Sequence, residues 1–234
     1  MVAIAIIGVR SGSKSIKDKN IAIFNHKPLM YWIIKEAKKA RKISDVYVST
    51  DSEKYRKMAI KFGAKAPFLR PKSLSKDSSK EIDYLIHALK WLKKNDKIKP
   101  DIVVRLQATS PLQKYTDIDN CVRKLELDRN ATSSMAVSEA IQPPHKALKL
   151  DTNKKYLRPY IDKSSIEVKN RQNLPIAFYR SNIIASRYKL LINKKVQIGN
   201  KSIKVNVPQT RSIDINTKFD LELCEYIAKK YKLF

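Results

Sequence analysis

The chain has 234 residues and a formal net charge of +27, with 43% hydrophobic and 30% charged residues. That length and apolar content suit one α/β domain with a substantial core and argue against disorder, and no segment approaches the roughly 20 apolar residues of a membrane span. The charge comes from 37 Lys and only 12 Arg, spread in short groups such as Lys38-Lys39 and Lys93-Lys94 without interleaved aromatic residues, so solvated helix faces are expected rather than a nucleic-acid surface.

Cys121 and Cys224 stand far apart without metal-ligand spacing, which fits two structural thiols in a reducing cytoplasm. The N-terminus shows no charged segment followed by a long apolar run, so no secretory leader is expected.

Residues 2–9 form a short apolar run that reads as a buried strand. A basic loop follows, Arg10-Ser11-Gly12-Ser13-Lys14-Ser15-Ile16-Lys17-Asp18-Lys19-Asn20. Small residues let backbone N–H groups approach an anion, and Arg10, Lys14 and Lys19 add positive charge, which together suit a polyphosphate. The loop has neither the Gly-Lys-Ser/Thr ending of a Walker A loop nor the three-glycine spacing of a dinucleotide fingerprint.

Pro28 stands where a helix can begin, and apolar spacing carries that helix to about Ala40. A strand is expected over residues 45–50. Asp51-Ser52 can cap a helix carrying Tyr55, Met58, Ala59 and Phe62, which Gly63 closes. A short strand over 65–69 leads to a polar loop, 70–79, and then to a helix with the stripe Ile82, Leu85, Ile86, Leu89 and Leu92. A strand over 101–106, a helix over 117–127 and a strand over 132–137 complete five alternations. Alternation of this kind predicts a doubly wound, mostly parallel sheet.

Residues 140–175, rich in Pro, Lys and Asn, break the rhythm as a flexible insertion, an arm on a partner subunit or a small antiparallel ribbon. Strand character returns over 176–185 and 203–207. Asn216 is placed to cap a last helix with Phe219, Leu223, Ile227 and Tyr231 on its apolar face. One domain spanning 1–234 is expected.

A parallel sheet binds ligands outside the carboxyl ends of its strands, and four loops fall there: 10–20, Thr50-Asp51, 70–79 and Gln107-Ala108-Thr109-Ser110-Pro111-Leu112. A fifth segment, Arg211-Ser212-Ile213-Asp214-Ile215-Asn216, precedes the last helix, and an exposed Asp there can hold Mg²⁺ through hard oxygen ligands. Asp51 reads equally well as a helix cap. His26, His87 and His145 make no metal set by spacing.

With these motifs in order, the chain resembles the acylneuraminate cytidylyltransferases, which make CMP-activated nine-carbon keto sugar acids. The loop from Arg10 to Asn20 is similar to the family's Arg-Gly-Gly-Ser-Lys … Lys-Asn. Val48-Ser49-Thr50-Asp51, Arg70-Pro71 with Leu74 and Asp77-Ser78, Gln107-Ala108-Thr109-Ser110-Pro111-Leu112, Arg171-Gln172 with Leu174-Pro175, and Asp214-Ile215-Asn216-Thr217 follow along the length of the chain.

The resemblance implies a nucleotide-diphospho-sugar transferase-like α/β fold with a small dimerisation arm at 140–175, and a homodimer. It implies CTP with its triphosphate on the backbone of Ser11, Gly12 and Ser13 and on Arg10, Lys14 and Lys19, with Asn20 in the nucleotide site. Lys19 would balance charge at the α-phosphate, and Arg10, Lys19 and Asp214 would be the catalytic set. Arg70, Asp77, Ser78 and Ser79 would surround the cytosine. Gln107, Thr109 and Ser110 would meet ribose or sugar acid, and Lys146 and Arg171 would bind the sugar carboxylate. Asp214, with Asn216, would coordinate Mg²⁺. N-acetylneuraminate, legionaminate and pseudaminate types of acid all satisfy these motifs.

Two departures stand out. The family usually carries Asp-Ile-Asp where this chain has Asp214-Ile215-Asn216, so one ligand brings no charge. The family's Asn-Gly is displaced here to Ser181-Asn182. Two rival readings are a guanylyltransferase on the same fold, whose purine needs a larger pocket at 70–79, and a basic RNA-binding protein on a nucleotide-binding scaffold.

Overall fold

The computed structural model describes residues 1–13, 15–161 and 173–234. The first apolar run forms strand β1 (Ala3–Gly8), whose period-2 alternation buries both faces. Ala3, Ala5 and Ile7 pack with Ile33 and Ile34 on one side, while Ile4 and Ile6 pack with Leu85 and Leu89 on the other. A strand covered on both faces belongs inside a sheet between two helix layers.

A two-residue hairpin, β2 (Ile23–Phe24) and β3 (Lys27–Pro28), follows the basic loop. Its tip residues, Asn25 and His26, both take positive φ (44° and 63°), which suits a tight hairpin turn. Helix α1 (Leu29–Lys39) begins directly after Pro28. Then come β4 (Asp45–Ser49), α2 (Glu53–Lys61), α3 (Glu81–Asn95), β5 (Ile102–Gln107), α4 (Tyr115–Leu127) and β6 (Ser133–Glu139). The chain ends through β7 (Leu148–Leu150), β8 (Leu157–Pro159), β9 (Phe178–Arg187), β10 (Ser202–Asn206) and α5 (Lys218–Lys230).

Six strands form one sheet in the order β10-β6-β9-β5-β1-β4. β1 is parallel to β4 and to β5, β10 is parallel to β6, and β9 alone runs against its neighbours. The sheet is therefore mostly parallel and wound in both directions from β1, as the alternation predicts. The chain leaves β1 for β4 on one side and returns to β5 on the other. That reversal opens a crevice beyond Gly8 and Gln107, where such sheets hold ligands.

Three local expectations are corrected. The strand over 65–69 reduces to one bridge between Tyr47 and Lys65, because Pro67 has no N–H to continue a ladder. Ser52 alone caps α2, its Oγ accepting from the Tyr55 N–H at 3.4 Å. Thr217, not Asn216, caps α5: its Oγ1 accepts from the Asp220 N–H, and Asp220 accepts from the Thr217 N–H at 2.7 Å. The buried face of α5 is Cys224, Ile227 and Ala228, against Phe24, Leu29 and Trp32, so Phe219 and Tyr231 point outward.

The described part of 140–175 is a small antiparallel ribbon, β7 with β8. Residues 162–172, including Arg171, lie outside the described residues, as does Lys14. Both cysteines are buried and unpaired, and burial pushes each thiol up to about 12, which suits structural thiols. Among the described residues no helix is long and apolar enough to cross a membrane.

Candidate active site

The loop after β1 is pinned at several points. Val9 donates its N–H to the Ser49 carbonyl, extending the β1–β4 ladder. Ser11 donates both its N–H (2.8 Å) and its Oγ–H (2.9 Å) to Asp51, which therefore braces this loop while Ser52 caps the helix. Gly12 sits at the tip with φ +69°, a backbone state that suits glycine. Asn20, buried, donates Nδ2–H to the Arg10 carbonyl at 2.9 Å and closes the loop's far end.

Above Gly8 and Gln107 lies a cavity of about 460 Å³. Five basic side chains (Arg10, Lys19, Arg70, Lys76 and Lys80) line it against three carboxylates, Asp77, Glu81 and Asp214. Such a balance in a concave site attracts an anionic ligand. Arg10 pairs with Asp77 at 2.7 Å across the mouth.

Lys19 reaches the segment before α5, donating Nζ–H to the Ile215 carbonyl (2.9 Å) and to Asn216 Oδ1 (3.1 Å). Burial lowers its pKa from the ordinary lysine value; Asp214 opposes that shift and Arg10 reinforces it. Asp214 accepts from Asn216 Nδ2 at 3.0 Å and from Asn182 Nδ2 at 2.9 Å. The Asn216 amide is thereby oriented, since its oxygen must face the Lys19 ammonium and its NH₂ the carboxylate.

The cavity floor is a stack. Tyr84 of α3 presses on β1 so closely that a Cβ built on Gly8 would lie 2.6 Å from its Cζ. The Arg70 guanidinium lies 4.4 Å from the Tyr84 ring centroid and donates to Ser49, through Nε to Oγ at 3.1 Å and through Nη2 to the carbonyl. Burial pushes the Tyr84 phenol up to about 12, with Glu81 adding to the shift, so it stays protonated near neutrality. One wall is polar: Gln107 Nε2 donates to Glu81, which is held in turn by Arg105 and Gln197.

Of the residues expected from sequence, Arg10, Ser13, Lys19 and Asn20 line this cavity, joined by Arg70, Asp77 and Ser79. Gln107, Thr109, Asp214 and Asn216 complete the group. Ser11 is turned to Asp51, and Gly12 and Ser78 are exposed nearby without lining it. Ser110 is fully buried behind it, its Oγ accepting from Asn182 Nδ2 at 2.8 Å. Lys146 is exposed on a turn before β7, away from the lining.

Sequence reasoning missed Tyr84, Glu81 and Arg105. Tyr84 falls beside Leu85 in an apolar helical pattern and reads as core. Arg105 did carry a signal: a charge inside the run Ile102-Val103-Val104-Arg105-Leu106 needs a buried partner.

Magnesium takes oxygen ligands and is commonly held by one or two carboxylates together with substrate phosphates. Asp214 supplies one carboxylate, and the Asn216 carbonyl oxygen already faces Lys19. Among the described residues no group of three or more His, Cys, Asp or Glu is gathered to hold a metal. The donor set fits a cation shared with a triphosphate rather than one caged by protein alone.

A family model described as cytidylyltransferase matches residues 4–228. The chain is 29% identical over 231 residues, 98% of its length and 97% of the other's, to a CMP-N,N'-diacetyllegionaminic acid synthase of Legionella pneumophila. It is 33% identical over 153 residues, 65% of each chain, to a pseudaminic acid cytidylyltransferase of Campylobacter jejuni. The structure of CMP:2-keto-3-deoxy-manno-octonic acid synthetase complexed with CTP superposes with a TM-score of 0.73 at 16% identity, covering 99% of this chain and 100% of the other, a likeness of fold.

Proposed function

The chain belongs to the cytidylyltransferase family, and from that premise we propose that it couples CTP to the anomeric hydroxyl of a nine-carbon 2-keto sugar acid. The C2 hydroxyl oxygen attacks the α-phosphorus and gives up its proton to solvent, the bond from the α-phosphorus to the α,β-bridging oxygen breaks, pyrophosphate leaves and the CMP-sugar forms. The observation that carries this reading is the convergence of Arg10, Lys19 and Asp214 on one cavity at the sheet's switch point.

Phosphoryl chemistry of this kind depends mainly on positioning and electrostatic stabilisation. Arg10 and Lys19 hold the triphosphate, and Lys19 neutralises charge that develops at the α-phosphate during attack. Arg10 exchanges Asp77 for phosphate as the nucleotide enters. Asn182 and Asn216 hold Asp214 from two sides, so its carboxylate is already oriented when substrate arrives. Asp214 would hold Mg²⁺, which would supply charge neutralisation on the phosphates, while the Asn216 oxygen stays on Lys19 and its NH₂ braces the carboxylate. Arg70 stacked on Tyr84 offers a flat surface for the base end.

We propose a homodimer built through the ribbon of β7 and β8, where Leu148, Leu150 and Leu157 share one face and are each more than half exposed. A contiguous apolar face of this kind is the usual mark of an interface. In such a dimer we assign Lys146 to a neighbour's sugar carboxylate, together with Arg171, which lies outside the described residues.

Pyrophosphate release with Mg²⁺, crossing CTP, GTP, UTP and ATP with a panel of nine-carbon keto sugar acids, tests the proposal. Turnover with CTP and one acid is the expected result and identifies the acid. Turnover with GTP alone would overturn the cytosine assignment, and silence across the grid would overturn the reaction.

A further inference from the structure

Gln107 ends β5 and lines the cavity, so whichever end of its amide faces inward decides what the wall can bind. The oxygen and nitrogen of such an amide are nearly isosteric, and an unconstrained glutamine presents either. Here Gln107 is not free to choose. Its Nε2 donates to Glu81, the first residue of α3. A carboxylate only accepts, so it draws the NH₂ end toward itself and leaves Oε1 as the end available to the cavity.

Glu81 is itself held. Its Oε2 lies 3.4 Å from Arg105 Nη2, whose side chain is 6% exposed, and accepts from Gln197 Nε2 at 3.3 Å. Arg105 donates Nε–H to Gln197 Oε1, which orients that second amide as well, and Nη1–H to the Asn182 carbonyl and Oδ1. Every group in this network has one consistent donor or acceptor role.

We propose that Glu81 is a positioning residue for specificity: it sets the Gln107 amide so that the wall presents a hydrogen-bond acceptor, which selects a donor on the substrate. The inference rests on the cytidylyltransferase reading for the identity of that substrate. Two groups carry the required chemistry, the exocyclic amine of cytosine and a hydroxyl or amide N–H on the sugar acid.

The variant E81Q makes a sharp test. Buried Arg105 and the Gln197 NH₂ both require an acceptor, so Gln at 81 turns its oxygen to them and its NH₂ to Gln107. Gln107 then flips and shows the cavity a donor. In the double variant E81Q/Q107E, the new carboxylate at 107 accepts from Gln at 81 and again offers the cavity an acceptor.

E81Q is expected to raise one KM by about tenfold, the loss of one well-placed hydrogen bond, with kcat much less affected, and the double variant to recover most of it. A shift of the CTP-to-UTP ratio toward UTP places the donor on the base; a higher KM for the sugar acid alone places it there. An E81Q enzyme with both KM values within twofold of the parent overturns the proposal, as does a loss that E81Q/Q107E fails to restore. Where E81Q does not fold, Q107M takes its place: a tenfold rise is expected, and an unchanged KM overturns the idea.

The side-chain amide protons of Gln107, followed by NMR without substrate and assigned with Q107M, separate this inference from the reading it rests on. A Gln107 amide that moves on E81Q, in an enzyme silent toward CTP, retains the orientation and discards the substrate. An amide that does not move discards the orientation.

Discussion

Lys19 donates to Asn216 Oδ1 at 3.1 Å although 197 residues separate them, and the other end of the same amide donates to Asp214. Asn216 thus bridges the ammonium and the carboxylate to which we assign roles in the proposed reaction. Aspartate at this position would lose the donor and set two carboxylates side by side. N216D is expected to lose about 1 kcal/mol of stability without divalent cation, to regain it with Mg²⁺, and to reach half-maximal rate at a several-fold lower Mg²⁺ concentration. Thermal melts with and without Mg²⁺ and a Mg²⁺ titration of rate check this. An unchanged Mg²⁺ midpoint would remove the 214–216 segment from the metal site.

Lys19 also predicts a pH profile. Burial lowers its pKa, so kcat/KM, which reports the free enzyme, is expected to fall on the alkaline side before the ordinary lysine value of 10.5. A bound triphosphate favours the charged form, so the limb in kcat lies at higher pH. K19R moves both limbs upward, and a limb that ignores K19R belongs to another group. Stability has a definite sign too. Between the folded and unfolded pKa values the unfolded chain binds more protons, so this group's contribution rises with pH through that window and is complete above the unfolded value.

The contact of Tyr84 with Gly8 leaves no room for a side chain. G8A is expected to cost about 1–3 kcal/mol by overpacking against a ring that is 5% exposed, and to weaken CTP binding because the Arg70 stack shifts with the ring. Y84F behaves oppositely: the Tyr84 hydroxyl has no hydrogen-bond partner among the described residues, so its removal is expected to leave Tm equal or higher. Denaturant unfolding of both variants decides the matter, and a G8A protein as stable as its parent would refute the packing argument.

The ribbon gives a test of assembly. Leu150 pairs across it with Leu157, and both are exposed. Light scattering at micromolar concentration is expected to give about twice the 27.0 kDa chain mass, and L150D/L157D to give the single-chain mass with its melting temperature nearly unchanged. A parent protein that runs as a single chain would remove the dimer.

Much of this molecule is legible in its sequence because its signals are local. The alternation of buried strands with amphipathic helices announces a parallel sheet, and strand order in such a sheet puts ligands at the carboxyl edge. Arg10 and Lys19 could be picked out on that ground, Asp214 as an exposed acid before the last helix, and Arg70 and Gln107 through the family resemblance, and all five line one cavity. Glu81 and Tyr84 could not, because their roles depend on which strand α3 covers. Tyr84 looks like any apolar helix residue until Gly8 is beneath it, and Glu81 looks like a solvated first-turn acid until Arg105 is found behind it. Pairings of this kind join residues 24 to 197 positions apart. Their energy comes from burial and from matching donors with acceptors, which a chain acquires only when its elements are packed.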